Sequence, residues 1–224
     1  MTPAVEAQDL SRRFGPEGSE VVAVDRVSLD VGAGELLMLK GPSGSGKTTL
    51  LAMLGCILRP SSGRIRILGK DVGGLSSGEL ARLRGEAIGF VFQGFNLLAA
   101  LTAAENVALA GEFVFPRPRN LRARAESILE QMGLGHRLHH LPEHLSAGEK
   151  QRVAFARALV NDPGIVIADE PTANLDAENR DLVVGLLRTA ARERNVAVVI
   201  ATHDDRIEHV ADRVIRIADG RYIP

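Results

Sequence analysis

The sequence predicts an α/β fold: a mostly parallel sheet, an N-terminal antiparallel β lobe and an inserted helical subdomain. Three observations support it. Short β-branched runs recur along the chain, and several are apolar on both alternating sets, as in parallel strands buried on both faces. Helical patterns alternate with those runs, which argues for crossover connections. Residues 94–145 break the rhythm, holding helical patterns and the Pro-bearing FPRPRN but no convincing strand. At 224 residues the chain is long enough for one sizeable core. We therefore expect one unit over 1–224, with 1–93 and 162–224 as α/β core and β lobe and 94–161 as the helical subdomain.

In order along the chain, VEAQDL near the start, RIRIL at 64–68 and the turns GAGE at 32–35 and PSSG at 60–63 suit the antiparallel lobe. ELLMLK at 35–40 reads as a strand leading into a helix over 47–58. IGFVFQ at 88–93 is the next strand, followed by helices over 121–132 and 146–161. GIVIAD at 164–169, a helix over 179–193, VAVVIAT at 196–202 and RVIRI at 213–217 complete the alternation. Asp219-Gly220 then predicts the tight turn of a C-terminal hairpin.

Bulk composition excludes several classes of function. Lys plus Arg total 27 against 28 for Asp plus Glu, so no excess field is present to hold a polyanion, and nucleic acid is not expected as a partner. The single cysteine, Cys56, sits in the apolar run TTLLAMLGCIL and reads as a small buried hydrophobe in a reducing cytoplasm. The start MTPAVEAQDL has no leader pattern, and no apolar run approaches the ~20 residues of a membrane span. We expect a soluble chain whose membrane role, where it has one, comes through a partner.

GPSGSGKT, residues 41–48, matches G-x-x-x-x-G-K-[ST] and lies after a strand and before a helix, as that phosphate loop must. The candidate phosphate-binding residues are therefore Gly41, Pro42, Ser43, Gly44, Ser45, Gly46, Lys47 and Thr48, with Thr49 on the helix that follows. Glycines let backbone N–H groups converge on phosphate oxygens, and the helix adds its positive end. Lys47 is expected at the β- and γ-phosphates of ATP, and the Thr48 hydroxyl on Mg²⁺. Lys40, just before the loop, reads as a solvent-facing strand end rather than a second phosphate ligand.

GIVIADEP places two acids at the carboxyl edge of the sheet. Asp169 is the expected Mg²⁺ partner and Glu170 the group that orients or deprotonates the attacking water. His203, after VAVVIAT, and Gln93, after IGFVF, end at the same edge; the Gln93 amide is suited to metal or water. In HLSAGEKQR, Ser146 and Glu149 form a capping box, so a helix begins there with free N–H groups. That is also a second anion-binding helix end.

GPSGSGKTT, FQ at 92–93, LSAGEKQR, IVIADEPT, ANLD at 173–176 and ATHD at 201–204, in this order, resemble the nucleotide-binding subunit of ABC transporters over nearly the whole chain. The resemblance implies a head-to-tail homodimer in which each ATP lies between one phosphate loop and the other chain's signature. It puts Ser146, Ala147, Gly148 and Glu149 at the second copy's nucleotide, Asp176 in the loop crossing the dimer, and His203 on the γ-phosphate. Phe14 matches the aromatic that stacks on adenine, and the resemblance favours that role over the core role such a residue would otherwise have. Ala147 stands where the family has glycine, and its methyl would be strained if the backbone there needed a positive φ.

Finer details, NLLAALTAAENVAL and GLGHRLHHLPEHLSAGEKQRVAFARALV among them, are similar to the branch of lipoprotein-release, macrolide-efflux, haem-export and glycolipid-export ATPases. That branch implies a membrane partner with a large extracytoplasmic domain. Residues 93–107 would form the groove receiving its cytoplasmic helix, unless their apolar stripe is subdomain core. An amino-acid-type importer ATPase is the alternative within the family. ABC-type ATPases of DNA repair or the ribosome have a long coiled coil or two ATPase halves, neither present here, and a monomeric phosphate-loop kinase has no use for the signature helix.

Overall fold

The computed structural model describes residues 2–16, 18–114, 120–173 and 175–223. Its strands are β1 (Val5–Phe14), β2 (Val21–Val31), β3 (Leu36–Lys40), β4 (Ser62–Ile67), β5 (Lys70–Asp71), β6 (Ile88–Val91), β7 (Ile165–Asp169), β8 (Ala197–Thr202), β9 (Arg213–Ala218) and β10 (Arg221–Ile223). Its helices are α1 (Lys47–Leu54), α2 (Ser77–Ala87), α3 (Ala103–Glu112), α4 (Leu121–Gln131), α5 (Ala147–Leu159) and α6 (Ala177–Arg194). An antiparallel sheet runs β2-β1-β4-β5, and a second runs β10-β9-β3-β8-β7-β6, parallel throughout except for β10 on its edge.

Every residue of β3 and β8 is buried, which is why these runs are apolar at consecutive positions. Leu36, Met38, Val166, Ala168, Val198 and Ile200 face the core shared with α3, α4, α5 and α6. Leu37, Leu39, Ile165, Ile167, Val199 and Ala201 face the core shared with α1 and the antiparallel sheet. Between residues 94 and 145 the described residues hold α3, α4 and two short 3-10 turns but no strand. Residues 115–119 of FPRPRN lie outside the described residues.

Three details differ from the sequence expectation. Helix α1 stops at Leu54, short of residue 58: Gly55 caps it with φ −81°, ψ 7°, and Cys56 turns left-handed at φ 56°. Helix α2 has a full capping box, Ser76 with Glu79, at a position where no helix was assigned. Strand β2 lies where no strand was assigned, and its pairing with β1 is irregular, with Arg26 at φ 50°. The C-terminal hairpin forms as expected, with Asp219 at φ 48° and Gly220 at φ 74°. Cys56 is buried, and that burial pushes its thiol up to about 11. No helix among the described residues is long and apolar enough to cross a membrane.

Strand β6 packs so closely on α5 that a Cβ on Gly89 would lie 2.3 Å from the Ala158 carbonyl oxygen. Gly89→Ala is expected to push that helix away and cost about 1–3 kcal/mol, read as a lower denaturant midpoint at constant m-value.

Candidate functional site

β3 delivers the chain to the sheet edge, and the loop at 41–46 turns it into α1. Gly46 caps α1 with a left-handed backbone, φ 100°, and no side chain competes for the first-turn N–H groups. A Cβ there would lie 2.2 Å from the Ala23 carbonyl oxygen, so the loop can rest on β2 only with glycine at this position. Lys47 is buried, and its Nζ donates to Gly41 O at 2.7 Å, Pro42 O at 2.9 Å and Ser45 Oγ at 3.5 Å. These direct partners are neutral oxygens, which leaves its charge available to an anion.

Asp169 ends β7 beside the loop. Burial pushes its carboxyl above the usual aspartate range, against a hydrogen bond from the Thr48 hydroxyl; Glu170 adds to the rise and Lys47 opposes it. Glu170 breaks the strand with a left-handed backbone at φ 47°, a strained state for a non-glycine residue. Its amide donates to Ala201 O at 2.8 Å, which anchors the turn. Its carboxylate accepts from the Thr202 hydroxyl at 3.1 Å through Oε2, and Oε1 lies 2.8 Å from His203 Nδ1. With Glu170 ionised, that contact requires the proton on Nδ1. A cleft of about 500 Å³ is lined by Ala23, residues 42–49, Gln93, Glu170 and His203. It brings together residues separated by more than a hundred positions, with Asp169 reached through Thr48.

Phe14 is exposed at the end of β1, and the Arg12 guanidinium sits 4.6 Å above its ring, so it is no core residue. The signature helix α5 has the expected capping box: Ser146 Oγ accepts from the Glu149 amide at 3.2 Å, and Glu149 Oε2 accepts from the Ser146 amide at 2.7 Å. Burial pushes the Glu149 carboxyl up, but the Ser146 amide, Arg137 at 2.8 Å and the Ser146 hydroxyl outweigh it and hold it below the usual glutamate range. Ser146 and Ala147 are exposed. None of Ser146, Ala147, Gly148 and Glu149 lines the chain's own 500 Å³ cleft.

Sequence reasoning missed Asn179. A Cβ on Gly148 would lie 1.8 Å from Asn179 Oδ1, so this side chain packs where Gly148 has none. The Asn179 amide nitrogen also donates to both Asp176 oxygens, at 3.0 and 2.9 Å, while Arg152 donates to its oxygen at 3.0 Å. Asp176 itself caps α6 through the Asn179 backbone amide at 2.8 Å. The spacing Asp-x-x-Asn was the available signal. Asn174 of the ANLD stretch lies outside the described residues.

Three readings change. Lys40 is not solvent-facing: it is 9 % exposed and its Nζ is paired with Asp205 and Glu208, because the turn after His203 folds back over the strand end. Ala147 opens α5 in ordinary helical backbone, with no positive φ, so its methyl brings no strain. In residues 93–107, Ala103, Ala104 and Val107 are core. The open groove lies beside them instead, about 870 Å³, lined among others by Ile57, Phe90, Phe92, Asn96, Phe113 and Arg157.

A family model described as "ABC transporter" matches residues 24–173, spanning the phosphate loop, Gln93, the signature and both acids. The chain belongs to the ABC transporter family. This cassette is 45 % identical over 99 % of its length to the macrolide export ATP-binding/permease protein MacB of Marinobacter nauticus, and 43 % identical over 99 % to that of Hyphomonas neptunium. It spans 34 % of the length of each of these relatives. Among solved structures it resembles a dimeric post-hydrolysis state of the ATP-binding cassette MJ0796 bound to ADP and Pi, at TM-score 0.90 and 36 % identity over 98 % of this chain and 97 % of that one. It also resembles cbiO1 from Clostridium perfringens, at TM-score 0.86 and 30 % identity over 100 % of this chain and 88 % of that one. The chain is thus an ATP-binding cassette of the ABC ATPase class.

The raised Asp169 carboxyl carries a stability consequence. Its contribution is fully present below the unfolded aspartate value and is lost as pH rises through the higher folded value, so above that value the half-buried carboxylate opposes folding. Asp169→Asn is expected to melt at a higher temperature than the wild type at pH 7 in the absence of nucleotide, with the gain shrinking as pH falls toward the usual aspartate range.

Proposed function

We propose that this cassette hydrolyses ATP in a head-to-tail homodimer and drives a bacterial membrane subunit that exports or extracts a lipid, lipoprotein, peptide or hydrophobic small molecule. One observation carries the reading: the cleft holding the phosphate loop, Gln93, Glu170 and His203 excludes the signature helix end, which stays exposed for another copy's nucleotide. The macrolide export named for the MacB relatives supports export over amino-acid import, and the dimer named for the MJ0796 cassette supports pairing.

In this reading Lys47 and the backbone N–H groups of residues 43–49 bind the phosphates, and Phe14 stacks on adenine. Thr48, Gln93 and Asp169 would hold Mg²⁺, a hard-oxygen set suited to an ion shared with substrate phosphates; the Thr48 hydroxyl beside the half-buried Asp169 carboxyl fits that role. The ion supplies neutralisation of charge on the β- and γ-phosphates. Glu170 accepts the proton of the attacking water as the bond from the γ-phosphorus to the bridging oxygen of ADP breaks, and His203 orients Glu170 and contacts the γ-phosphate. Ser146, Ala147, Gly148 and Glu149 of the second copy close over the same nucleotide, beside the Asp176 loop. In this reading the 870 Å³ groove receives the membrane subunit's cytoplasmic helix, and the cassette works peripherally at the cytoplasmic face of the inner membrane.

Glu170→Gln tests the mechanism. It keeps the hydrogen-bonding shape and removes the base, so ATP turnover should fall about 10²-fold or more while ATP binding and nucleotide-dependent dimerisation persist. Unchanged turnover would remove Glu170 from the reaction.

A further inference from the structure

β3 ends at Lys40, whose Cα pairs with Thr202 of β8 on one side and with Arg216 of β9 on the other. Lys40 is thus one residue before the phosphate loop and directly across from the residue before His203. A buried ammonium without a counter-charge is costly, so this lysine must be paired. Its Nζ is bonded to Asp205 Oδ1 and Glu208 Oε2, both on the 3-10 turn Asp205–Val210. Glu208 also accepts from Arg216 Nη2 at 3.5 Å, so the turn is gripped from β3 and β9 together. Hydrogen bonding to Asp205 and then Glu208 raises the lysine above its usual value against burial, which keeps it charged.

His203 needs such support. Its side chain is 70 % exposed, and the contact that orients it is the one to Glu170. Its backbone is set by Thr202 before it and by the turn after it. Lys40 does not line the 500 Å³ nucleotide cleft; it lines a neighbouring cleft of about 450 Å³ together with His203 and Asp205.

We propose that Lys40 is a positioning residue for His203: by tying the turn after His203 to the strand that carries the phosphate loop, it sets where the His203 to Glu170 pair stands relative to the bound phosphate. The inference rests on the ATPase reading above. A reacting geometry of this kind is sensitive, since a displacement of about 1 Å can cost up to ~10²-fold in rate.

The test is steady-state ATP hydrolysis with Mg²⁺ by the purified chain carrying Lys40→Met, Lys40→Arg, His203→Ala, or Lys40→Met with His203→Ala. Lys40→Met should lower kcat about tenfold while KM for ATP stays within about twofold, and Lys40→Arg should restore most of the rate. In the His203→Ala background, Lys40→Met should add nothing, because the group it positions is gone. An unchanged kcat in Lys40→Met, or an equal loss with and without His203, would overturn the proposal; the second result is what a merely structural lysine gives. Where Lys40→Met does not fold, Asp205→Asn combined with Glu208→Gln removes the same tether from its exposed side, with the same expectations. Unchanged turnover in His203→Ala alone would overturn the reading of the site, whereas a slowed His203→Ala with a normal Lys40→Met overturns only this inference.

Discussion

Parallel pairing of β3, β7 and β8 sets the separation of the phosphate loop, the two acids and His203, because their register places Lys40 opposite Thr202 and Asp169 opposite Ala201. Neighbouring strands stand about 4.8 Å apart, so the phosphate loop, the acids and His203 leave the sheet within roughly two strand spacings of one another. A slip of one residue would turn each strand's side chains to the opposite face. It would also move Asp169 away from Thr48. Complete burial of β3 and β8 on both faces resists such a slip, so the hydrophobic cores on either side of the sheet maintain the geometry of the site.

Several groups at this edge are held in states that oppose folding. Lys47 is buried among neutral oxygens, burial raises the Asp169 carboxyl above its usual range, and Glu170 occupies a left-handed backbone. A strained non-glycine backbone costs of order 1–3 kcal/mol and persists only where its surroundings over-determine it. Here the Glu170 amide is bonded to Ala201, and its two carboxylate oxygens to Thr202 and His203. An incoming phosphate and its metal would relieve the first two costs, which ties the local stability of the site to its occupancy.

The fold was legible because two-sided burial writes an unbroken apolar run, and because caps such as Ser146 with Glu149 are local in sequence. The phosphate loop was legible for the same reason: its glycines, lysine and threonine lie within eight residues. What escaped reading depends on contacts across the chain. Lys40 looks exposed by residue type, and only the return of the turn at 205–210 buries it. Helix α1 looks long enough to reach residue 58 until the left-handed backbone of Cys56 turns the chain out of it. The stripe at 103–107 looks like either core or groove, and the packing of α3 on α5 decides for core.

The same long-range contacts join α5 to the end of β7. Gln151, one turn into α5, is buried and donates from Nε2 to Pro171 O at 2.7 Å, the carbonyl immediately after Glu170. Two turns further on, Arg157 donates to Phe95 O at 2.8 Å and to Asn96 O, just beyond Gln93. At the start of the helix, Asn179 fills the space left by Gly148 and grips Asp176. One rigid helix therefore contacts the segment after the acids, the segment after Gln93 and the cap of α6. These hydrogen bonds give the exposed end at Ser146 a short route of direct contacts to the segments that follow Glu170 and Gln93, and the same contacts lead back from the Phe92 to Asn96 wall of the 870 Å³ groove.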